Sequence, residues 1–273
     1  GGNSNVCIGD EAGRSLTTGD ANVALGHEAL YFEDAHGYNT AVGYRALKTL
    51  NAGADSRNTA VGSLAGAATT TGADNTFIGS LAGDANTTGG ANTAVGSSAL
   101  TTATTADSNT AIGYNALGAN TTGATNTAVG RNALDANTTG VNNVAVGVNA
   151  LDDSTTGDQN TALGTSTLAN NTTADNNTAV GHSALFDNTT GANNTAVGTL
   201  SLSNNTTGAR NTAVGQQAFF TNTTGDFNVA LGRSALYNNT TADNNTAVGY
   251  EALYANTTGT ENNAFGVGAL DAN

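Results

Sequence analysis

Residues 126–142 read N-T-A-V-G-R-N-A-L-D-A-N-T-T-G-V-N, and close variants of this 17-residue stretch fill the chain. We call each copy a rung, number its positions from the first asparagine, and call the residues at one position in successive rungs a column. Rungs are spaced by 17 residues, except for one spacing of 19 between Asn39 and Asn58. The sixteen rungs begin at Asn5, Asn22, Asn39, Asn58, Asn75, Asn92, Asn109, Asn126, Asn143, Asn160, Asn177, Asn194, Asn211, Asn228, Asn245 and Asn262.

The columns exclude a helical fold and favour strands. Position 1 is Asn and position 5 is Gly in all sixteen rungs, while position 2 is Thr or Val in fifteen. These residues are poor helix formers, and β-branched residues are typical of extended segments. The pattern predicts an all-β chain, a parallel β-solenoid or β-roll of sixteen 17-residue rungs. Each rung is expected to hold two short strands, at positions 2–4 and 7–9, with an Asn-Thr-Thr-Gly turn at positions 12–15.

Stacked rungs would turn each column into a ladder. We expect columns 4 and 9, which are mostly Val and Leu, to form a continuous apolar core, and column 1 to form a ladder of side-chain amides. Position 3, mostly Ala, should point the other way, since neighbouring residues of a strand face opposite sides. The 19-residue spacing should be a bulge in an outer turn, between Leu47 and Asn58. Residues 1–273 are expected to form a single repeat array.

Composition and charge exclude several classes of protein. The net charge is −14 and Lys48 is the only lysine, which disfavours nucleic acid and anionic membrane surfaces as partners. No apolar run approaches the roughly 20 residues that span a bilayer, so we expect no membrane insertion in this segment. Cys7 is the only cysteine, so the chain has no disulfide framework.

Two runs carry a resemblance to a known family: Asn22-Val23-Ala24-Leu25-Gly26 and Asn126-Thr127-Ala128-Val129-Gly130. With most other rungs, they resemble the head repeats of trimeric autotransporter adhesins, which also occur in phage tail fibres and bacterial surface fibre proteins. The resemblance implies a left-handed parallel β-roll that forms a homotrimer. The family repeat is shorter, and the extra residues here fall in the Asn-Thr-Thr-Gly turn. Small Ala columns at positions 3 and 8 would let coils pack closely against partners.

The sequence offers little support for catalysis. His27 and His182 share position 6 nine rungs apart, and His36 lies in an irregular turn with Glu33 and Asp34. The residues of that turn could serve a metal or acid–base role, but a solvated turn is the simpler explanation and is the one we expect. We therefore predict no enzyme, no catalytic or metal site and no cofactor. Structural calcium remains an alternative at the position-16 aspartates, for which turn chemistry is the simpler explanation. These are Asp158, Asp175, Asp226 and Asp243.

The Asn and Thr columns raise two further possibilities. Nine Asn-Thr-Thr runs match the N-glycosylation pattern, although a turn that favours Asn and Thr explains them as well. Their asparagines are Asn86, Asn120, Asn137, Asn171, Asn188, Asn205, Asn222, Asn239 and Asn256. Thr fills position 2 in eleven rungs, which suggests an ice-binding array, but Val at the same position in four rungs suggests that this column is partly buried.

We expect a structural extracellular or cell-surface protein, either a fibre subunit or an adhesin stalk or head. Its main partner would be itself, in an end-to-end fibre or a homotrimer, with host surfaces or glycans as further partners. End-to-end stacking is suggested because Gly1-Gly2-Asn3-Ser4 fits positions 14–17 of a rung and Asn273 falls at position 12. The alternative is an ice- or glycan-binding solenoid that uses its Thr and Asn columns.

Overall fold

A computed structural model describes residues 2–271 of the chain. The protein is an all-β parallel solenoid whose strands recur with the repeat, as predicted. None of the described residues is helical, so none of them forms a helix that could cross a membrane. The strands are β1 (Val6–Ile8), β2 (Val23–Leu25), β3 (Thr40–Val42), β4 (Thr59–Val61), β5 (Thr76–Ile78), β6 (Thr93–Val95), β7 (Thr110–Ile112), β8 (Thr127–Val129), β9 (Val144–Val146), β10 (Thr161–Leu163), β11 (Thr178–Val180), β12 (Thr195–Val197), β13 (Thr212–Val214), β14 (Val229–Leu231), β15 (Thr246–Val248) and β16 (Asn263–Phe265).

The chain divides into two compact units, Gly1–Thr139 with β1–β8 and Gly140–Asn273 with β9–β16. Within each unit every strand pairs in parallel with the next, and each residue pairs with its counterpart one rung later. The predicted columns are therefore real inside each unit, while a single uninterrupted array stays a prediction. The expectation of end-to-end stacking rests partly on Gly1 and Asn273, and both lie outside the described residues.

Each rung contains one strand, at positions 2–4, so the predicted second strand at positions 7–9 is wrong. Positions 7 and 9 adopt the left-handed conformation, as at Asn132 (φ 54°) and Leu134 (φ 52°). A strand needs φ near −120°, so this segment is a turn. It still bonds to its neighbours, because Leu117 N donates to Ala133 O at 3.0 Å and Asn132 N donates to Tyr114 O at 3.0 Å.

The glycine at position 5 is required by both conformation and space. Its φ lies between 122° and 142° in all sixteen rungs, a region that side chains disfavour. A Cβ on Gly96 would also lie 2.4 Å from the carbonyl oxygen of Gly113 in the next rung. Successive rungs therefore come too close at this corner for a side chain, and the positive φ also favours glycine there.

The interior of the coil is lined by columns 1, 3, 8, 9 and 12. Ala128, Ala133 and Leu134 are each fully buried, so column 9 is in the core as predicted. Column 4 is not: Val61 is 37 % exposed and Ile112 is 39 % exposed. The prediction that column 4 forms part of the core was therefore wrong. The strand points the small residue of position 3 inward and the larger residues of positions 2 and 4 outward.

The Ala columns are also placed differently from the expectation. Columns 3 and 8 were expected to let coils pack against partner chains, but both are buried in the interior of their own coil. Packing between chains must therefore use other residues. The 19-residue spacing behaves as predicted: Thr40 still pairs with Thr59, and residues 53–55 lie exposed in the turn.

One substitution in the core is matched by two others. Column 3 holds Phe77 instead of Ala, and Phe77 is fully buried. Its ring occupies the space above two glycines that replace Leu in column 9. A Cβ on Gly83 would lie 2.4 Å from Phe77 Cε1, and one on Gly66 would lie 2.7 Å from Phe77 Cδ2. Columns 3 and 9 therefore share one cavity, and a large residue in one requires a small residue in the other.

This pairing predicts non-additive stability. Gly83→Leu should destabilise because its side chain overlaps the Phe77 ring, and Phe77→Ala should cost about 3–5 kcal/mol by leaving a cavity. The triple variant Phe77→Ala, Gly66→Leu and Gly83→Leu restores the repeat residues and should recover most of the lost stability. Denaturant unfolding of the full chain measures this, and additive losses in the triple variant would contradict the shared cavity.

The inward and outward assignment predicts a second contrast. Leu134→Ala should cost about 2–5 kcal/mol, since it empties a fully buried site. Val129→Ala, five residues earlier on the outer face, should cost about 1 kcal/mol or less. The midpoints of thermal unfolding of the two variants provide the comparison, and equal losses would show that column 4 is buried in solution.

Candidate functional site

Within each unit, the invariant asparagine of position 1 joins a rung to the one before it. Asn194 N donates to Asn177 Oδ1 at 2.9 Å, and Asn194 Nδ2 donates to Gly208 O, at position 15 of its own rung, at 2.8 Å. The predicted ladder therefore exists, but its main link runs from a side-chain oxygen to a backbone N–H rather than from amide to amide. A shorter side chain could not make both contacts, which accounts for an Asn in every rung.

The amide-to-amide ladder lies instead in column 12, which contains all nine predicted glycosylation asparagines. Asn205 Nδ2 donates to Asn188 Oδ1 at 2.7 Å and to Gly208 O at 2.9 Å. The nine side chains are at most 2 % exposed. An N-glycosylation acceptor belongs in an exposed loop, so in the folded chain these amides lie in the interior, where a sugar has no room. Glycosylation itself stays an untested prediction.

The two threonines of the turn differ in their roles. The hydroxyl of position 13 is bonded to the next rung, as when Thr189 Oγ1 donates to Thr206 O at 2.9 Å. The threonine of position 14 is exposed, as at Thr190 and Thr207. The position-13 hydroxyls therefore belong to the backbone network, whereas the position-14 threonines form an exposed column at this turn.

A second outward surface is formed by positions 2 and 4 of the strands, which we call the Thr/Val face. Its threonines are mostly half-buried, and its aliphatic residues are exposed by about two fifths, for example Ile78 at 40 % and Val214 at 38 %. No residue of positions 2–4 is charged in any rung, although the chain carries a net charge of −14. Each unit thus presents an uncharged sheet surface with an exposed aliphatic column.

The position-16 aspartates hold the turns together. Asp158 N donates to Asp175 Oδ1 at 2.8 Å, and Asp226 N donates to Asp243 Oδ1 at 2.7 Å. Each carboxylate thus accepts the N–H of the same position one rung earlier, which is the turn chemistry preferred in the sequence analysis. None of the four joins a group of three or more acidic, His or Cys ligands among the described residues, and structural calcium gains no support from this column.

The histidines of position 6 are both exposed. His27 Nε2 lies 3.5 Å from Asp10 Oδ2, and its ring stacks on Tyr44. Beside it, Lys48 Nζ lies 2.8 Å from Glu28 Oε2, and this hydrogen bond lowers the pKa of Glu28. These contacts form a surface ion network. His182 lies far along the chain in the other unit, as its position predicted.

The turn of the second rung is not the solvated turn that was expected. Glu33 is 0 % exposed, and desolvation by this burial raises its pKa. Its Oε1 accepts the His36 N–H at 3.1 Å, while its Oε2 has no hydrogen-bond partner. Glu33, Asp34 and His36 each offer one atom to a cluster whose members lie within 4.8 Å of one another. Sequence reasoning found these residues but missed the burial, because it treated position 12 as part of an outer turn.

The described residues enclose no ligand-sized pocket. Among these residues the cluster of the second rung is the one set of three potential metal ligands. What the fold offers for binding is therefore a set of repeated columns on its surface, together with this single irregular turn.

The buried ladder predicts that neighbouring asparagines differ sharply. Asn205→Ala removes the donor to Asn188 Oδ1 and the acceptor for Asn222 Nδ2, at 2.7 Å each, and should destabilise by about 1–3 kcal/mol for each group left unpaired. Asn204→Ala, at a half-exposed site, is the matched control and should have little effect. Thermal unfolding of both variants tests this, and similar losses would mean that column 12 is hydrated.

Comparison with known proteins returns no match. No protein-family model matches the chain. Neither a curated protein nor a solved structure matches it. The resemblance to adhesin head repeats therefore rests on the repeat columns alone, and the function must be argued from the surfaces described above.

Proposed function

We propose that this chain is a structural subunit of an extracellular or cell-surface fibre or adhesin, and that it assembles laterally by covering its Thr/Val face with a second copy. The observation that supports this is the exposed aliphatic column in each unit, which includes Val61, Ile78 and Ile112 in the first and Val146, Leu163 and Val214 in the second. A contiguous apolar surface of this kind marks an interaction site in soluble proteins.

Charge favours a second copy as the occupant. Like chains of net charge −14 repel one another, and they approach most easily through surfaces that carry no charge. Positions 2 and 4 meet this condition in every rung. A column of identical spacing on each copy would also let the aliphatic side chains of one face pack between those of the other. The same face would serve the homotrimer implied by the resemblance to adhesin repeats, with the extracellular location that this resemblance suggests.

A second candidate is binding to a regular surface such as ice. Half-buried threonines of position 2, for example Thr195 and Thr212, repeat along each unit with the strand spacing of about 4.8 Å, beside the aliphatic column. The glycan alternative has weaker support. Phe220, Tyr237 and Tyr254 stack at centroid distances of 5.3 and 5.2 Å, so the ring faces between them are covered and unavailable to a sugar.

Lateral assembly predicts that charge on the Thr/Val face dissociates the protein. Val197→Glu with Val214→Glu places two like charges on adjacent strands of this face, and the double variant should sediment as a monomer where the unaltered chain is oligomeric. Thr190→Glu with Thr207→Glu adds the same charge at exposed position-14 sites and should remain oligomeric. Analytical ultracentrifugation at several protein concentrations measures both.

The outcome also separates the two candidates. A chain that stays monomeric at all concentrations overturns lateral assembly. If that monomer depresses the freezing point of water, and the Val197→Glu, Val214→Glu variant does not, ice binding replaces lateral assembly as the proposed function. Fibres that persist in the face variant would instead support the end-to-end stacking expected from the repeat.

A further inference from the structure

The second rung breaks the pattern of column 12 in a specific way. Glu33 replaces the asparagine, and the following turn reads Glu33-Asp34-Ala35-His36 instead of Asn-Thr-Thr-Gly. The same column holds Leu16 in the rung before and Leu50 in the rung after. Glu33 thus enters the interior without the neighbouring amides that pair with the asparagines of later rungs, and it is 0 % exposed.

Glu33 reproduces only half of what an asparagine does at this position. In a regular rung the side-chain oxygen accepts the N–H of position 15, as Asn222 Oδ1 does from Gly225 at 3.0 Å, and Nδ2 donates to the carbonyl of position 15. Glu33 Oε1 makes the first contact, with His36 N. Its Oε2 stands in for the NH₂ group but cannot donate when ionised, and it has no partner. Desolvation raises the pKa of Glu33 and the backbone N–H groups of His36 and Ala52 act to lower it, but a buried oxygen without a hydrogen-bond partner is further stabilised by a cation or a proton.

Two further ligands converge on this oxygen pair. His36 Nδ1 is buried without a hydrogen-bond partner and lies 3.7 Å from Glu33 Oε1. Asp34, which is half-buried, adds a carboxylate, and the three ligand atoms lie within 4.8 Å of one another. Tetrahedral ligand atoms at about 2.0–2.1 Å from one zinc ion lie roughly 3.4 Å apart, so binding requires the turn to bring the more distant of these atoms closer together.

We propose that Glu33, Asp34 and His36 form a binding site for one divalent transition-metal ion of the zinc class. An imidazole nitrogen with two carboxylates is a ligand set for Zn²⁺ or Co²⁺, whereas Ca²⁺ and Mg²⁺ prefer oxygen ligands alone. Three protein ligands leave a fourth position for water or for a side chain of a partner. The ion would neutralise the buried Glu33 and tie the irregular turn of the second rung.

The test uses the full chain, stripped with a chelator and then titrated with Zn²⁺ by equilibrium dialysis, and with Co²⁺ followed by its visible absorption. We expect one ion per chain and a higher Tm when the ion is bound. Glu33→Asn restores the residue of the repeat. This variant and His36→Ala should each weaken Zn²⁺ binding by more than the roughly 10–100-fold that changes outside the ligand shell cost.

Controls separate a metal site from a structural or adventitious one. His27→Ala, His182→Ala and Cys7→Ser remove the other imidazole and thiol ligands, all at exposed sites, and each variant should bind one ion with unchanged affinity. Glu33→Asn should also keep or raise the Tm of the metal-free chain, so loss of binding could not be ascribed to unfolding. The proposal is overturned if the unaltered chain binds no Zn²⁺, or if Glu33→Asn binds it equally well.

Discussion

The structure depends on how a narrow coil satisfies the backbone groups that its turns direct inward. The carbonyl of position 15 is the point of convergence: Gly208 O accepts from Asn194 of column 1 and from Asn205 of column 12, at 2.8 and 2.9 Å. Buried carbonyls without such donors are costly. Because the same amides also bond to neighbouring rungs, turn closure and stacking depend on one hydrogen-bond network. We therefore expect a rung to be unstable without its neighbours.

The repeat made much of this predictable. A period of 17 with invariant Asn and Gly indicates a stacked coil whatever its details, and it placed the insertion before Asn58 correctly. A second strand was wrongly predicted because Leu at φ near 50° is a conformation that sequence preferences disfavour. Alternation identified that positions 2 and 4 share one face, but alternation does not say which face is inside. The inward face is set by the space inside the coil, which is narrow enough to favour the alanine of position 3.

The candidate sites show the same limit. Asn-Thr-Thr has the composition of an exposed turn, yet its asparagine is interior because the position-15 carbonyl lies there and needs a donor. Phe77 and the glycines at 66 and 83 were visible as exceptions in separate columns, and only the packing relates them. Glu33 was likewise visible as a break in column 12. Its meaning depends on burial, since an exposed carboxylate in a turn has water as its partner and a buried one does not.

The exposed aliphatic column follows from the thinness of the coil. An interior with room for two Ala columns and one Leu column cannot also hold the side chains of position 4, so Val, Ile and Leu are left on the outer face of each strand. Small cores bury too little apolar surface to be very stable alone, and association is the usual way in which such folds bury more. The aliphatic residue of position 4, which the sequence places in the core, is therefore the residue best placed to pack against a second copy. The same repeat that builds the coil thus also supplies the surface for the proposed lateral assembly.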